Sequence, residues 1–223
     1  MTGNVHQGGP VAACGAIPEE ARAAVILVHG RGATAEGILD LARVLDSPEV
    51  AWLAPQAAGG AWYPQSFLAP LEANEPGLSS GIALLHGMVE SLAARGVPPE
   101  RTVLMGFSQG ACLALETAAR HPRRYGGLVA FTGGLIGPPG TPRDDPGSLD
   151  GTPAFLGAGD PDPHVPWWRV EESAAVLGDL GARVTVRRYP GLGHTINDDE
   201  LEEARRIFDH SVAPNRDPAY SIG

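Results

Sequence analysis

The chain lacks any long uninterrupted hydrophobic stretch. Hydrophobic residues make up 43% of its 223 residues, yet no run approaches the roughly 18 apolar residues of a membrane-spanning helix. Residues 1–10 are polar and rich in glycine, without the basic and then apolar segments that make up a secretory signal peptide. We therefore expect no stable membrane insertion and a cytoplasmic location.

Positive charge and cysteine are also scarce. The sequence has 16 basic and 26 acidic residues, which gives a net charge of −10. An acidic protein is a poor ligand for phosphate backbones or anionic lipid surfaces, so we expect no nucleic-acid partner. Cys14 and Cys112 are too few for a disulfide framework and fit no metal-binding spacing. We predict no metal site and two reduced thiols in the core.

The chain does contain short apolar runs that alternate with amphipathic stretches. Strands are predicted at residues 25–28, 51–54, 102–107, 128–131, 154–156 and 183–189, and helices at 36–45, 79–94, 109–120, 167–180 and 199–211. Segments 57–76 and 133–153 are predicted to be irregular loops. The alternation indicates an α/β fold with a mostly parallel, doubly wound sheet and helices on both faces. We expect one domain over residues 1–223, with 1–15 and 213–223 at its periphery.

The strongest motif is Gly106-Phe107-Ser108-Gln109-Gly110, between a predicted strand and a predicted helix. It matches G-x-S-x-G, the nucleophile elbow of α/β-hydrolases, in which a tight turn projects the serine hydroxyl from the sheet. The flanking glycines keep side chains out of that crowded turn. Ser108 is therefore the predicted nucleophile.

A serine nucleophile requires a base, which in this fold follows it and an acid along the chain. The histidines after Ser108 are His121, His164, His194 and His210. His121 ends a predicted helix and His210 lies in the last one. His194 follows the last predicted strand, at the sheet edge where the active site of such folds lies, so we predict that it is the base.

The acid and the oxyanion hole are less sharply defined by the residues alone. Asp160 and Asp162 both follow the strand at 154–156, so strand position does not choose between them. Either carboxylate would orient the imidazole and stabilise its protonated form. Oxyanion donors are expected from the N–H of Gln109 and from the glycine-rich loop at residues 29–33.

Together these segments resemble the phospholipase/carboxylesterase family of α/β-hydrolases, which includes the acyl-protein thioesterases. The segments responsible are 29–32 (HGRG), 106–110 (GFSQG), 159–166 (GDPDPHVP) and 193–194 (GH). The resemblance implies little or no cap domain and a triad of Ser108, Asp162 and His194. Asp162 is chosen because the family's acid stands four residues before the proline of the V-P pair. The resemblance also implies backbone N–H groups of Arg31 and Gln109 as the oxyanion hole.

The implied activity is that of a carboxylesterase acting on small to medium esters through an acyl-serine intermediate, without a cofactor. A lysophospholipase or acyl thioesterase with the same triad is the alternative, and a non-catalytic ligand receptor a more distant one. The position of Arg31 is often leucine in the thioesterases, and residues 62–67 (WYPQSF) suggest a bacterial carboxylesterase branch.

The substrate pocket is predicted from aromatic residues. Trp62, Phe67 and Trp167 are the candidates for lining it, and Tyr63 and Trp168 are their neighbours in sequence. The expected ligand is a small-molecule ester. The sequence is compatible with a homodimer.

Overall fold

The computed structural model describes residues 3–212, and for residues 210 and 212 it describes the backbone alone. Within this range seven strands form one sheet in the order β1-β3-β2-β4-β5-β6-β7. Strand β1 pairs with β3 in antiparallel register, and every other neighbouring pair is parallel. The strands are β1 Val11–Gly15, β2 Ala23–Val28, β3 Val50–Pro55, β4 Thr102–Phe107, β5 Gly127–Phe131, β6 Pro153–Asp160 and β7 Arg183–Pro190.

Helices cover both faces of the sheet. They are α1 Ala35–Ile38, α2 Asp40–Leu45, α3 Gly77–Ala94, α4 Gln109–Arg120, α5 Trp167–Asp179 and α6 Asp198–Val212. Alternate residues of the central strands point to opposite faces: Ile26 joins the core under α3, α4 and α5, whereas Val25 joins the core under α1, α2 and α6. The prediction of a mostly parallel, doubly wound α/β sheet is therefore confirmed.

The edge strand β1 was not predicted, because its sequence VAACG is short and rich in alanine and glycine, which are uncommon in strands. One prediction is wrong here: Cys14 lies on this strand and is exposed, so only Cys112 of the two free thiols is a core residue. Burial raises the pKa of the Cys112 thiol to about 11, which keeps it protonated at neutral pH.

Two other elements differ from their predicted bounds. The predicted helix at residues 36–45 is divided at Leu39, whose carbonyl accepts a hydrogen bond from the N–H of Ala42 at 3.0 Å. Strand β6 continues to Asp160, well beyond the predicted end at residue 156. The prediction ended too early because the glycines at 157 and 159 interrupt the apolar run. Segment 133–152 contains no helix or strand, as predicted, and segment 57–76 contains two short 3₁₀ turns.

The peripheral residues are only partly described. Residues 213–223 lie outside the described range. Near the other end, His6 is buried and its ring contacts Trp62. No helix in the described part of the chain is long and apolar enough to cross a membrane.

Glu200 gives the fold an expected dependence on pH. It is fully buried in the first turn of α6, where one of its carboxylate oxygens accepts the N–H of Asn197 at 2.9 Å. Burial raises the pKa of this carboxyl from 4.5 to about 7. The folded chain therefore keeps a proton that the unfolded chain loses. The resulting stabilisation is complete below pH 4.5 and is lost as the pH rises through about 7.

We expect Glu200→Gln to remove this dependence. Relative to the wild type, the variant should gain free energy of unfolding between pH 5 and pH 8, by a total on the order of 3 kcal/mol. Urea unfolding across that range measures the difference. Glu202→Gln, on the exposed side of the same helix, is the matched control and should leave the pH slope unchanged. Equal slopes for Glu200→Gln and the wild type would show that the carboxyl titrates normally.

Candidate active site

Ser108 lies in a tight turn between β4 and α4. Its φ is +54° and its ψ is −119°, a backbone conformation that non-glycine residues rarely adopt and that is typical of functional sites. Its N–H donates to the carbonyl of Phe131 at 2.9 Å, which ties the turn to the end of β5. A Cβ at Gly110 would collide with the Val28 carbonyl, and one at Gly106 would approach Gly110 within 2.5 Å. The flanking glycines are therefore required by close backbone packing.

The structure brings Ser108, His194 and Asp162 together. His194 Nε2 lies 3.0 Å from Ser108 Oγ, and His194 Nδ1 lies 2.8 Å from Asp162 Oδ2. The Asp162 side chain is fully buried, whereas about a fifth of the His194 side chain is exposed. This is the arrangement in which a serine hydroxyl passes its proton to an imidazole held by a carboxylate.

Asp160 and Asp162 have different surroundings. The second carboxylate oxygen of Asp162 accepts the N–H groups of His164 at 2.7 Å and Val165 at 2.8 Å. The Asp160 carboxylate instead pairs with the Arg188 guanidinium on the neighbouring strand. Asp162 therefore both holds the turn and contacts His194.

Gly159 places the His194 loop against the end of β6. A Cβ at this position would collide with the Gly193 carbonyl oxygen and would lie 2.8 Å from the Gly193 nitrogen. Because the clash is with backbone, the loop itself would have to move, and His194 with it. The absence of a side chain at residue 159 therefore sets the position of the imidazole.

We expect Gly159→Ala to lower kcat by about a hundredfold, the cost of displacing a reacting group by about 1 Å. Gly178→Ala is the matched control, because a Cβ there meets nothing within 4 Å. The measurements are steady-state rates with an aryl ester and melting temperatures of both variants. A Gly159→Ala enzyme with wild-type kcat would show that the loop tolerates the methyl group.

The two predicted oxyanion donors have no acceptor in the described part of the chain. Within the described residues, neither the N–H of Arg31 nor that of Gln109 donates to a backbone or side-chain group. His29 fixes the first of them: its Nδ1 lies 2.8 Å from the Gly30 carbonyl, and its Nε2 accepts the Ala57 N–H at 3.1 Å. Holding that carbonyl directs the Arg31 N–H of the same peptide the opposite way. Burial lowers the pKa of His29, so the ring stays neutral and keeps both roles.

The side chains of Arg31 and Gln109 hold the segment at residues 62–65. The Gln109 amide accepts the Trp62 N–H at 2.9 Å and donates to the Tyr63 carbonyl at 2.8 Å. The Arg31 guanidinium donates to the carbonyls of Tyr63 at 2.8 Å, Pro64 at 3.1 Å and Gln65 at 2.8 Å. The oxyanion role predicted from the sequence concerns the backbone N–H groups of these two residues. Their place beside the motif glycines is the signal for their oxyanion role, but no sequence pattern predicts the side-chain contacts.

A cavity of about 670 Å³ opens above Ser108. It is lined by Gly30, Arg31, Ala33, Tyr63, Pro64, Gln65, Ser66, Phe67, Phe107, Ser108, Gln109, Cys112, His164, Val165 and His194. Of the three aromatic residues predicted to line a substrate pocket, only Phe67 does so. His164 also lines the cavity but was not among the predicted pocket residues. Its ring centroid lies 4.7 Å from that of His194.

Trp62 and Trp167 are corrections to the predicted pocket. Trp62 is completely buried, and its indole N–H donates to the His29 carbonyl at 2.8 Å. It therefore supports the glycine-rich loop at residues 29–33 from the core. Trp167 begins α5 outside the cavity, and the Arg188 guanidinium lies 5.7 Å from its ring. Aromatic composition alone does not distinguish a core side chain from one that faces a cavity.

His121, which also follows Ser108 in the sequence, does not line the cavity. His121 ends α4 and its ring stacks on that of His86 at 3.9 Å. His210 is in α6, and its side chain is not among the parts of the chain that the structure describes. In residues 3–212 no group of three or more histidine, cysteine, aspartate or glutamate side chains is arranged to hold a metal ion.

A mostly parallel sheet with a serine at a strained strand-to-helix turn, and an acid and a histidine after later strands, defines an α/β-hydrolase. Comparison with known families makes the identification more specific. The chain belongs to the phospholipase/carboxylesterase family, whose model matches residues 12–211. The resemblance seen in the sequence motifs is therefore confirmed.

Individual relatives agree with this placement. A probable carboxylesterase of rice (Oryza sativa subsp. japonica) is 30% identical over 198 residues, covering 81% of this chain and 74% of the relative. Acyl-protein thioesterase 1 of Saccharomyces cerevisiae is 28% identical over 217 residues, covering 87% and 95%. The crystal structure of a phospholipase/carboxylesterase from Dyadobacter fermentans is 44% identical with a TM-score of 0.86, covering 89% of this chain and 95% of that one. The chain is accordingly a carboxylic ester hydrolase, with activity of the esterase or thioesterase type.

Proposed function

We propose that the chain is a carboxylesterase that cleaves small to medium esters through an acyl intermediate on Ser108. The observation that carries this proposal is the unbroken line of contacts from Ser108 Oγ to His194 Nε2 at 3.0 Å and from His194 Nδ1 to Asp162 at 2.8 Å. The line ends in a cavity of a size that accommodates a small organic molecule.

The first half of the reaction forms the acyl-enzyme. His194 Nε2 takes the proton of the Ser108 hydroxyl while Oγ bonds to the ester carbonyl carbon. The carbonyl oxygen becomes an anion between the N–H groups of Arg31 and Gln109, which have no acceptor among the residues that the structure describes. The carbon–oxygen bond to the alcohol then breaks, and His194 gives its proton to the departing oxygen.

The second half releases the acid. A water molecule loses a proton to His194 Nε2 and attacks the acyl carbon, and Ser108 leaves with that proton. Throughout, the Asp162 carboxylate accepts a hydrogen bond from the Nδ1–H of His194 and stays ionised, which leaves Nε2 free for the reaction. The imidazolium that forms in each half is stabilised by the same carboxylate, whose charge is held by two backbone N–H groups.

Labelling with a fluorophosphonate probe tests the nucleophile. We expect one covalent adduct per chain, located on Ser108 by mass spectrometry. A non-catalytic receptor with this fold would not be labelled, so absence of the adduct would refute the proposal.

A panel of esters tests the substrate range. We expect turnover of aryl esters with short acyl chains to exceed that of long-chain lysophospholipids, because the net charge of −10 disfavours adsorption to anionic lipid surfaces. The yeast relative named acyl-protein thioesterase 1 supports acyl thioesters as the second candidate. Ester and thioester pairs with the same acyl group separate the two, and a large preference for the thioester would replace the first proposal by the second.

A further inference from the structure

Arg31 carries the only permanent charge among the described residues that line the cavity. The fifteen lining residues include this arginine, two histidines, and no lysine, aspartate or glutamate. The carboxylate behind the wall, Asp162, is fully buried and directed at His194 and two backbone N–H groups. The cavity wall therefore includes an arginine, whose guanidinium is bonded to wall residues 63–65, and it includes no carboxylate.

The charge of Arg31 is fixed in place but not neutralised. Its three hydrogen bonds are to backbone carbonyls of residues 63–65, and in residues 3–212 it forms no ion pair with a carboxylate. Arg169, by contrast, pairs with Glu172 at 2.5 Å. A guanidinium has five N–H donors, so two remain on Arg31 for a ligand. A charged group already held by its surroundings loses little entropy when it binds an anion.

The cavity walls divide the two parts of an ester. The departing alcohol must lie beside His194, which protonates it, and therefore near His164 and Val165. The carbonyl oxygen lies at the N–H groups of Arg31 and Gln109. The remaining wall, formed by Arg31 and residues 63–67, is left for the acyl part.

We infer that Arg31 selects esters whose acyl part ends in a carboxylate, such as half-esters of short dicarboxylic acids. This inference rests on the proposed function of Ser108. The acidic net charge of the chain repels anions at long range, so a preference for an anionic ester has to come from a local contact. Arg31 is the residue placed to make that contact.

The test compares two esters that differ in one group: monoethyl glutarate, with a terminal carboxylate, and ethyl pentanoate, with a methyl group there. The quantity measured is the ratio of their kcat/KM values in the wild type, Arg31→Gln and Arg31→Lys. We expect the glutamine variant to lower this ratio by about tenfold to a hundredfold, as for loss of a hydrogen bond between charged groups. The lysine variant should keep part of the preference, because it keeps the charge.

The ratio separates two roles of Arg31. Loosening of segment 63–65 affects both esters alike and cancels in the ratio, so equal losses for the two esters would show that Arg31 only holds the loop and would overturn the inference. Carboxymethyl pentanoate carries its carboxylate on the alcohol part. A loss confined to that ester would place the anion on the wrong side and would also overturn it.

Failure of the inference is distinguishable from failure of the proposed function. Fluorophosphonate labelling of Ser108 without any preference for the glutarate ester would leave the hydrolase intact and refute the role of Arg31. Calorimetric titration of Ser108→Ala with monoethyl glutarate measures binding without turnover. Adding Arg31→Gln to that variant should weaken binding by a similar factor, and unchanged affinity would contradict the inference even if no ester were hydrolysed.

Discussion

Replacing Ser108 by alanine is expected to lower kcat for ester hydrolysis by about a million-fold, since no other group replaces the attacking oxygen. The fold should survive, because the contacts that hold the elbow are made by backbone: the N–H of residue 108 to Phe131, and the packing of Gly110 against Val28. The measurements are single-turnover rates with an aryl ester and the melting temperature.

Ser91→Ala is a suitable control for this experiment, because Ser91 lies on the exposed side of α3 and far along the chain from the elbow. It should retain the wild-type rate and the fluorophosphonate adduct, both of which Ser108→Ala should lose. A Ser108→Ala enzyme that kept even a hundredth of the wild-type rate would show that another residue is the nucleophile.

The main elements and their order could be predicted from the sequence because buried parallel strands are nearly continuous apolar runs. Strand β4 and helix α4 begin and end at the predicted residues. The same reasoning predicted that Ser108 and His194 lie together, since residues that follow strand ends meet at one edge of such a sheet, and their side chains are 3.0 Å apart. Strand β1 was not predicted because it is short and its alanine and glycine residues are uncommon in strands.

The finer organisation of the site depends on contacts that leave no mark in the sequence. The Arg31 guanidinium donates to backbone carbonyls more than thirty residues away along the chain. Because every residue has a backbone carbonyl, no residue type marks these contacts in the sequence. Trp62 lies in the predicted loop at residues 57–76, yet its side chain is buried in the core, where it donates a hydrogen bond to the His29 carbonyl. The choice between Asp160 and Asp162 rested on family resemblance, and geometry now gives a physical reason for it.

That reason makes Asp162→Asn the second large effect. In the wild type, one carboxylate oxygen accepts two backbone N–H groups and the other faces His194 Nδ1. An asparagine has a single oxygen, and the two backbone donors require it on their side. The amide N–H₂ must then point at His194 Nδ1, which has to become an acceptor.

The proton of the neutral imidazole then moves to Nε2, the atom that has to accept the Ser108 proton. We expect kcat to fall about ten-thousandfold, the effect of trapping the wrong tautomer in a serine triad. The melting temperature should change little, because the amide retains both bonds to His164 and Val165.

Asp160→Asn is the matched control, two residues earlier at the end of β6. It removes a pairing with Arg188 that is partly exposed to solvent, and such ion pairs contribute about 1 kcal/mol or less to stability. We therefore expect near wild-type kcat and a small decrease in melting temperature. Steady-state kinetics and thermal unfolding of both variants decide the matter. If Asp160→Asn lost activity while Asp162→Asn kept it, His194 would be oriented by a different carboxylate in solution, and the hydrogen-bond line from Ser108 to Asp162 would not be the working one.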